Sequence, residues 1–182
     1  MILELALAAF ALSATELYQH GIALFEKGDP QAAAHRFEEA RALAPKDARI
    51  WRALGVSYAA MLDHQRATEP FRQACTLDPA LTDACYYYGR NLYALNRFEP
   101  AIAALNKGMR AARSPWQVHL GLAQAYEGLG DAKQSEPAYR KAIAMFEAVP
   151  RQERGRPDFD PRLRLAIFLY RQGRADDALQ WA

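Results

Sequence analysis

Apolar residues recur along most of this chain at steps of three and four, the interval that returns side chains to one face of an α-helix. In the stretch from Ala48 onward, Trp51, Leu54, Gly55 and Tyr58 make one such face. A polar break follows at Asp63-His64, then Ala67, Phe71 and Ala74 make a second face before Pro79. The pattern predicts a helix, a turn and a second helix. Shifting the chain against itself by 34 residues brings the pattern back. Gly21, Gly55 and Gly89 coincide, as do Ala33, Ala67 and Ala101. Phe37 and Phe71 align with Leu105, and Ala40, Ala74, Gly108 and Ala142 make a further column. Leu24, Tyr58, Leu92 and Tyr126 make another. The fourth copy departs, with Ala123 in the glycine column and Ser135 in the alanine column, but Gly130-Asp131 still marks its turn.

Packing explains the columns. Where two helices cross closely, only Gly or Ala leaves room, and larger residues such as Trp51, Tyr58 and Phe71 fill the space around the crossing. Proline cannot continue the hydrogen-bond ladder, so Pro45 and Pro79 end second helices. Ser114-Pro115 and Asp160-Pro161 read as an N-cap followed by a first-turn proline. The copies then run 14–47, 48–81, 82–115 and 116–149. The segment 150–158 (P-R-Q-E-R-G-R-P-D) breaks the period and reads as a polar loop. Beyond it the register resumes at a shift of 43, taking Tyr126 to Leu169 and Gly130 to Gly173, and a partial fifth copy fills 159–182.

A 34-residue helix–turn–helix with this arrangement of Trp, Leu-Gly, Tyr, Ala, Phe and Pro resembles the tetratricopeptide repeat. The resemblance covers about residues 14–182. It implies an all-α fold, a right-handed α-solenoid of helix hairpins with four full repeats and a partial fifth. It also implies a non-catalytic protein–protein interaction module, a scaffold or assembly adaptor, in which first helices line a concave groove that binds a peptide or protein segment. Carried onto this sequence, the groove takes Tyr18, Ile22 and Phe25 from copy one and Arg49, Arg52 and Val56 from copy two. Copy three adds Tyr86, Arg90 and Tyr93, copy four Leu120, Gln124 and Glu127, and copy five Leu163, Ile167 and Tyr170.

Tyr and Arg are favoured anchors at interfaces, and Arg grips a carboxylate through two parallel hydrogen bonds. Arg52 and Arg90 among Tyr86 and Tyr93 therefore point to a ligand with an acidic or C-terminal carboxylate. The specialised clamp that holds the acidic tails of heat-shock chaperones uses a Lys/Asn/Asn/Lys/Arg set. The corresponding positions here are Tyr18, Ile22, Ala53, Asp83 and Tyr87, so that subclass is not implied. The alternative function is a regulatory or substrate-presenting arm of a larger enzyme whose catalytic domain lies beyond residue 182.

Composition changes this picture little. Charged residues make up 24% of the chain, hydrophobic ones 51%, and the net charge is +2. This balance gives no reason to expect nucleic acid. No apolar run approaches the roughly 20 residues of a stable membrane span. His20, His35, His64 and His119 fall at unrelated repeat positions and show no metal-ligand spacing. No nucleophile-elbow serine occurs, and Gly128-Leu129-Gly130 belongs to a repeat turn rather than a nucleotide-binding loop. No catalytic residue, metal site or cofactor is expected. The cysteines Cys75 and Cys85 read as buried small residues on neighbouring helices; a disulfide between them is the alternative in an oxidising compartment.

The two ends carry separate expectations. Residues 1–14 hold an apolar core, Leu5 to Leu12, followed by Ser13-Ala14, and so resemble a secretory leader. Glu4, and the lack of Lys or Arg before the core, speak instead for an N-terminal helical extension over 1–13. The leader would make the mature protein periplasmic or secreted; the extension leaves it cytoplasmic. The last residues, Ala178-Leu179-Gln180-Trp181-Ala182, are apolar and unfinished for a capping helix. They read as the interior of a longer protein, with self-association through this helix as the alternative.

Overall fold

A computed structural model describes residues 12–81, 83–150 and 160–181. Residues 1–11 and 151–159, which carry most of the expected leader and polar loop, lie outside the described residues. The chain divides into two compact units, Met1–Ala84 and Cys85–Ala182. The described residues are all-α and contain no strand. In the first unit α1 (Ala14–Glu26) pairs with α2 (Pro30–Leu43), and α3 (Ala48–Ala60) with α4 (His64–Leu77). α2 packs on α3, and α1 also touches α3. In the second unit α5 (Ala84–Ala94), which begins at the boundary residue, pairs with α6 (Phe98–Gly108), and α7 (Pro115–Gly128) with α8 (Ala132–Glu147). α9 (Pro161–Arg171) pairs with the short α10 (Ala175–Leu179), while α6 packs on α7 and α8 on α9. This is the α-solenoid class of helix–turn–helix repeats expected from the sequence.

The glycine column does what its recurrence suggests. A Cβ on Gly21 would lie 2.5 Å from Phe37 Cε1, on Gly55 2.6 Å from Phe71 Cδ1, and on Gly89 2.5 Å from Leu105 Cγ. Each glycine thus seats the large side chain of its own hairpin partner. The fourth hairpin solves the crossing differently. Ala123 replaces the glycine, and the fully buried Ser135 donates its hydroxyl to the Ala123 carbonyl at 2.9 Å. Tyr139 takes the Phe37/Phe71 position and is 1% exposed. The core of this part joins Trp116, Ile143 and Phe146 to Leu165, Phe168 and Leu169.

The turn inside each hairpin is one motif repeated. Gly28, Leu62, Asn96, Gly130 and Gly173 all have positive φ, between 56° and 84°. The next residue's N–H reaches back five positions, as in Asp63 to the Tyr58 carbonyl at 3.0 Å and Asp131 to Tyr126 at 2.9 Å. This left-handed closure satisfies carbonyls that the helix end leaves open. Asp29, Asp63 and Asp131 then cap the second helices, accepting from Ala32 N, Arg66 N and Gln134 N. Asp160 caps α9 through Arg162 N, whereas Ser114 occupies the cap position of α7 without a side-chain bond. Leu62 is 79% exposed and gains nothing from packing to offset its φ of 61°. A branched residue costs about 1–2 kcal/mol there, and glycine gives back part of that as unfolded-state entropy. Leu62→Gly should therefore stabilise the first unit by about 0.5–1 kcal/mol in urea melts. A loss of stability would contradict the closure described.

Candidate functional site

On α1, Tyr18 and Ile22 are four residues apart and half-buried. On α3, Arg49, Arg52 and Val56 follow at steps of three and four, so they share a stripe. The two stripes meet: the Arg49 guanidinium carbon lies 5.9 Å from the centroid of the Tyr18 ring. Tyr18 in turn leans on Phe37, centroid to centroid 5.7 Å. Phe25, one turn beyond Ile22, is also half-buried.

The charges of this face are unequal. Asp47, the N-cap of α3, grips Arg49 at both ends of the guanidinium. Arg49 Nε donates to Oδ1 at 3.1 Å and NH2 to Oδ2 at 2.7 Å. Oδ1 also accepts the Arg49 backbone N–H at 2.9 Å. Bonds from Arg49 hold the Asp47 carboxyl below its usual range. Arg52, one turn further, differs. Its Nε is buried and has no hydrogen-bond partner among the described residues. The opposite face of α3 carries no such vacancy. Tyr58 donates to Glu38 at 3.1 Å and accepts from Arg66 at 2.8 Å. Trp51 Nε1 donates to the Pro45 carbonyl at 2.7 Å, with the Arg41 guanidinium 5.0 Å from its ring.

In the second unit several expected groove residues serve the interior. Tyr86 is 8% exposed and packs with Leu105, Val118 and Leu122. Leu120 is 7% exposed and belongs to the core around Trp116 and Leu165. Glu127 is also committed: Tyr139 donates to Oε2 at 2.6 Å and Arg171 to Oε1 at 3.0 Å. What remains at the surface is Arg90, with its guanidinium 5.8 Å from the Tyr86 ring, and Tyr93, 36% exposed beside Phe98. Gln124 is half-buried. Leu163, Ile167 and Tyr170 form an apolar stripe on α9, exposed by 48%, 36% and 70%.

His119 packs inside and is 8% exposed. Burial, and then the charge of Lys141, push its pKa below the ordinary value of 6.5. The unfolded chain therefore binds this proton more readily than the folded one. The His119 contribution should be intact above about pH 6.5 and be lost as pH falls through the lowered folded value. Melting between pH 7.5 and 5 should show this loss, and His119→Leu should flatten it; an unchanged slope in that variant would refute the assignment.

Among the described residues no group of His, Cys, Asp and Glu is placed to hold a metal ion. None of their helices is long and apolar enough to cross a membrane. Cys75 and Cys85, 3% and 1% exposed, are both disulfide-bonded.

A family model described as the tetratricopeptide repeat matches residues 18–81 and 89–152. Protein bimA of Emericella nidulans is 27% identical over 109 residues, which is 60% of this chain but 13% of that protein's length. A structure of MamA from Desulfovibrio magneticus RS-1 superposes with a TM-score of 0.79 at 20% identity, covering 92% of this chain and 90% of that one. PilF of Pseudomonas aeruginosa gives 0.73 at 20% identity, over 92% and 72%. PilW, described as a type IV pilus biogenesis factor, gives 0.73 at 21%, over 92% and 75%. At these identities the solved structures speak for the fold alone.

Proposed function

Because the chain belongs to the tetratricopeptide repeat family, we propose that it is a scaffold or assembly adaptor that holds a segment of a partner protein on the exposed faces of its first helices. Members of this family are generally non-catalytic interaction modules. In the first unit the face comprises Tyr18, Ile22, Arg49, Arg52 and Val56; in the second, Arg90, Tyr93 and Gln124. The partner segment is apolar with an acidic group, a side-chain or terminal carboxylate.

The observation that carries this reading is Arg52, which makes no hydrogen bond or ion pair with any described residue and whose Nε alone of its nitrogens is buried without a partner. A ligand carboxylate gives the terminal nitrogens of that guanidinium a charge-assisted partner. Neighbouring apolar groups supply contact area around the charge, and an arginine fork supplies orientation. Arg52→Gln should weaken binding of a partner isolated from the native host by about tenfold or more, since a hydrogen bond to a charged group contributes about 1.5–3 kcal/mol. Arg36→Gln, on the exposed side of α2 where Arg36 pairs with Glu39 at 2.8 Å, should leave affinity unchanged. Equal effects of the two substitutions, measured by calorimetry, would refute the assigned face.

A further inference from the structure

We propose that Asp47 is a specificity-determining residue for the Arg52 face, setting it to take a singly charged carboxylate in preference to a doubly charged phosphate. The proposal rests on the reading of Arg52 given above and concerns the second arginine of the same stripe.

Arg49 and Arg52 are separated by three residues on α3, so both heads are available in principle to one ligand. Two adjacent guanidinium groups would make a site suited to a dianion, because arginine pairs are the usual means of holding phosphate. Asp47 prevents that. It takes the Nε and the NH2 of Arg49 in a two-point grip at 3.1 and 2.7 Å, and so cancels one of the two positive charges. The same carboxylate caps α3, which fixes it beside Arg49. The uncompensated guanidinium at the face is Arg52, with its Nε buried and unpartnered. One net positive charge matches one carboxylate. A phosphate brings about −1.5 to −2 charges at neutral pH, and the second would face Asp47 without a free partner.

The test uses the full chain and three short acetylated peptide amides, Leu-Glu-Leu, Leu-phosphoserine-Leu and Leu-Gln-Leu, followed through the Nε–Hε NMR signal of Arg52. With the unaltered protein, the glutamate peptide should bind more tightly than the phosphoserine peptide, and the glutamine peptide should not move the signal. Asp47→Asn keeps an N-cap of equal quality, so the fold is retained, which a melting curve checks. That variant should gain about tenfold for the phosphoserine peptide, the scale of one charge-assisted bond, and change little for the glutamate peptide. A phosphate preference in the unaltered protein, or an unchanged preference in Asp47→Asn, overturns the inference while leaving the proposed face standing. If neither charged peptide moves the Arg52 signal, the carboxylate site and this inference fail together.

Discussion

Tyr139→Ala should destabilise the second unit by about 3–5 kcal/mol, the range for removing a fully buried aromatic side chain. Tyr139 is 1% exposed, and its ring lies 5.6 Å from that of Phe168. It therefore ties the α7–α8 hairpin to α9. Its hydroxyl donates to Glu127 at 2.6 Å, and Glu127 also receives Arg171 at 3.0 Å. Burial first, and then the neighbouring Glu127, push the phenol pKa far above its usual range, so the hydroxyl remains a donor at any ordinary pH. Tyr139→Phe keeps the ring and loses that bond, for about 1–2 kcal/mol. Urea unfolding of the two variants separates the terms. Equal losses would mean that the hydroxyl, not the ring, carries the stabilisation, contrary to the packing described.

Gly55→Val should cost the first unit about 1–3 kcal/mol by overpacking. The first added carbon would lie 2.6 Å from Phe71 Cδ1, closer than any real contact, and Phe71 is 2% exposed with little room to retreat. The expected thermal signature is a lowered melting temperature with secondary structure retained below it. A leucine opposite the glycine leaves the crossing as tight, since a Cβ on Gly89 would lie 2.5 Å from Leu105 Cγ. Only a shorter side chain makes room, so Gly55→Ala combined with Phe71→Ala should lose less than the sum of the single substitutions, a coupling expected only of residues in direct contact. Strict additivity would place Gly55 away from Phe71.

The residues that let paired helices approach closely were legible in the sequence because they recur. Gly21, Gly55 and Gly89 must each admit a side chain of the partner helix, so each copy shows the same choice. The left-handed turn position was less visible. Glycine fills it at 28, 130 and 173, but Leu62 and Asn96 hold the same conformation with nothing in their identity to announce it. Pro70 and Pro137 sit inside α4 and α8, where local propensity argues for a break. The surrounding Ala67, Phe71 and Ala74 column outweighed that signal, because packing of a helix face exceeds single-residue preference. The disulfide state of Cys75 and Cys85 depends on a separation that sequence spacing does not give.

The site was legible only in outline. The three- and four-residue steps identified which stripe of each first helix is turned away from its hairpin partner. They did not tell a side chain at the surface from one absorbed by the next hairpin, and so placed Tyr86 and Leu120 in the groove although both are core. Nor did they reveal that Glu127 is already spent on Tyr139 and Arg171, or that Asp47 cancels Arg49 while Arg52 keeps an unpartnered nitrogen. These differences depend on neighbours far from the residue in sequence, or on side-chain directions that spacing alone leaves open.

A partner segment held as proposed lies on the first-helix face of the first unit and not on its second helices. Photo-crosslinking tests it directly. A benzoylphenylalanine at Val56, beside Arg52 on α3, is compared with one at Gln73, equally half-buried but on α4 and outside that stripe, each in the full chain with host extract. Position 56 should give an adduct that disappears when Arg52→Gln is added, and position 73 none. An adduct from position 73, or one from position 56 that persists without the Arg52 guanidinium, would contradict that placement.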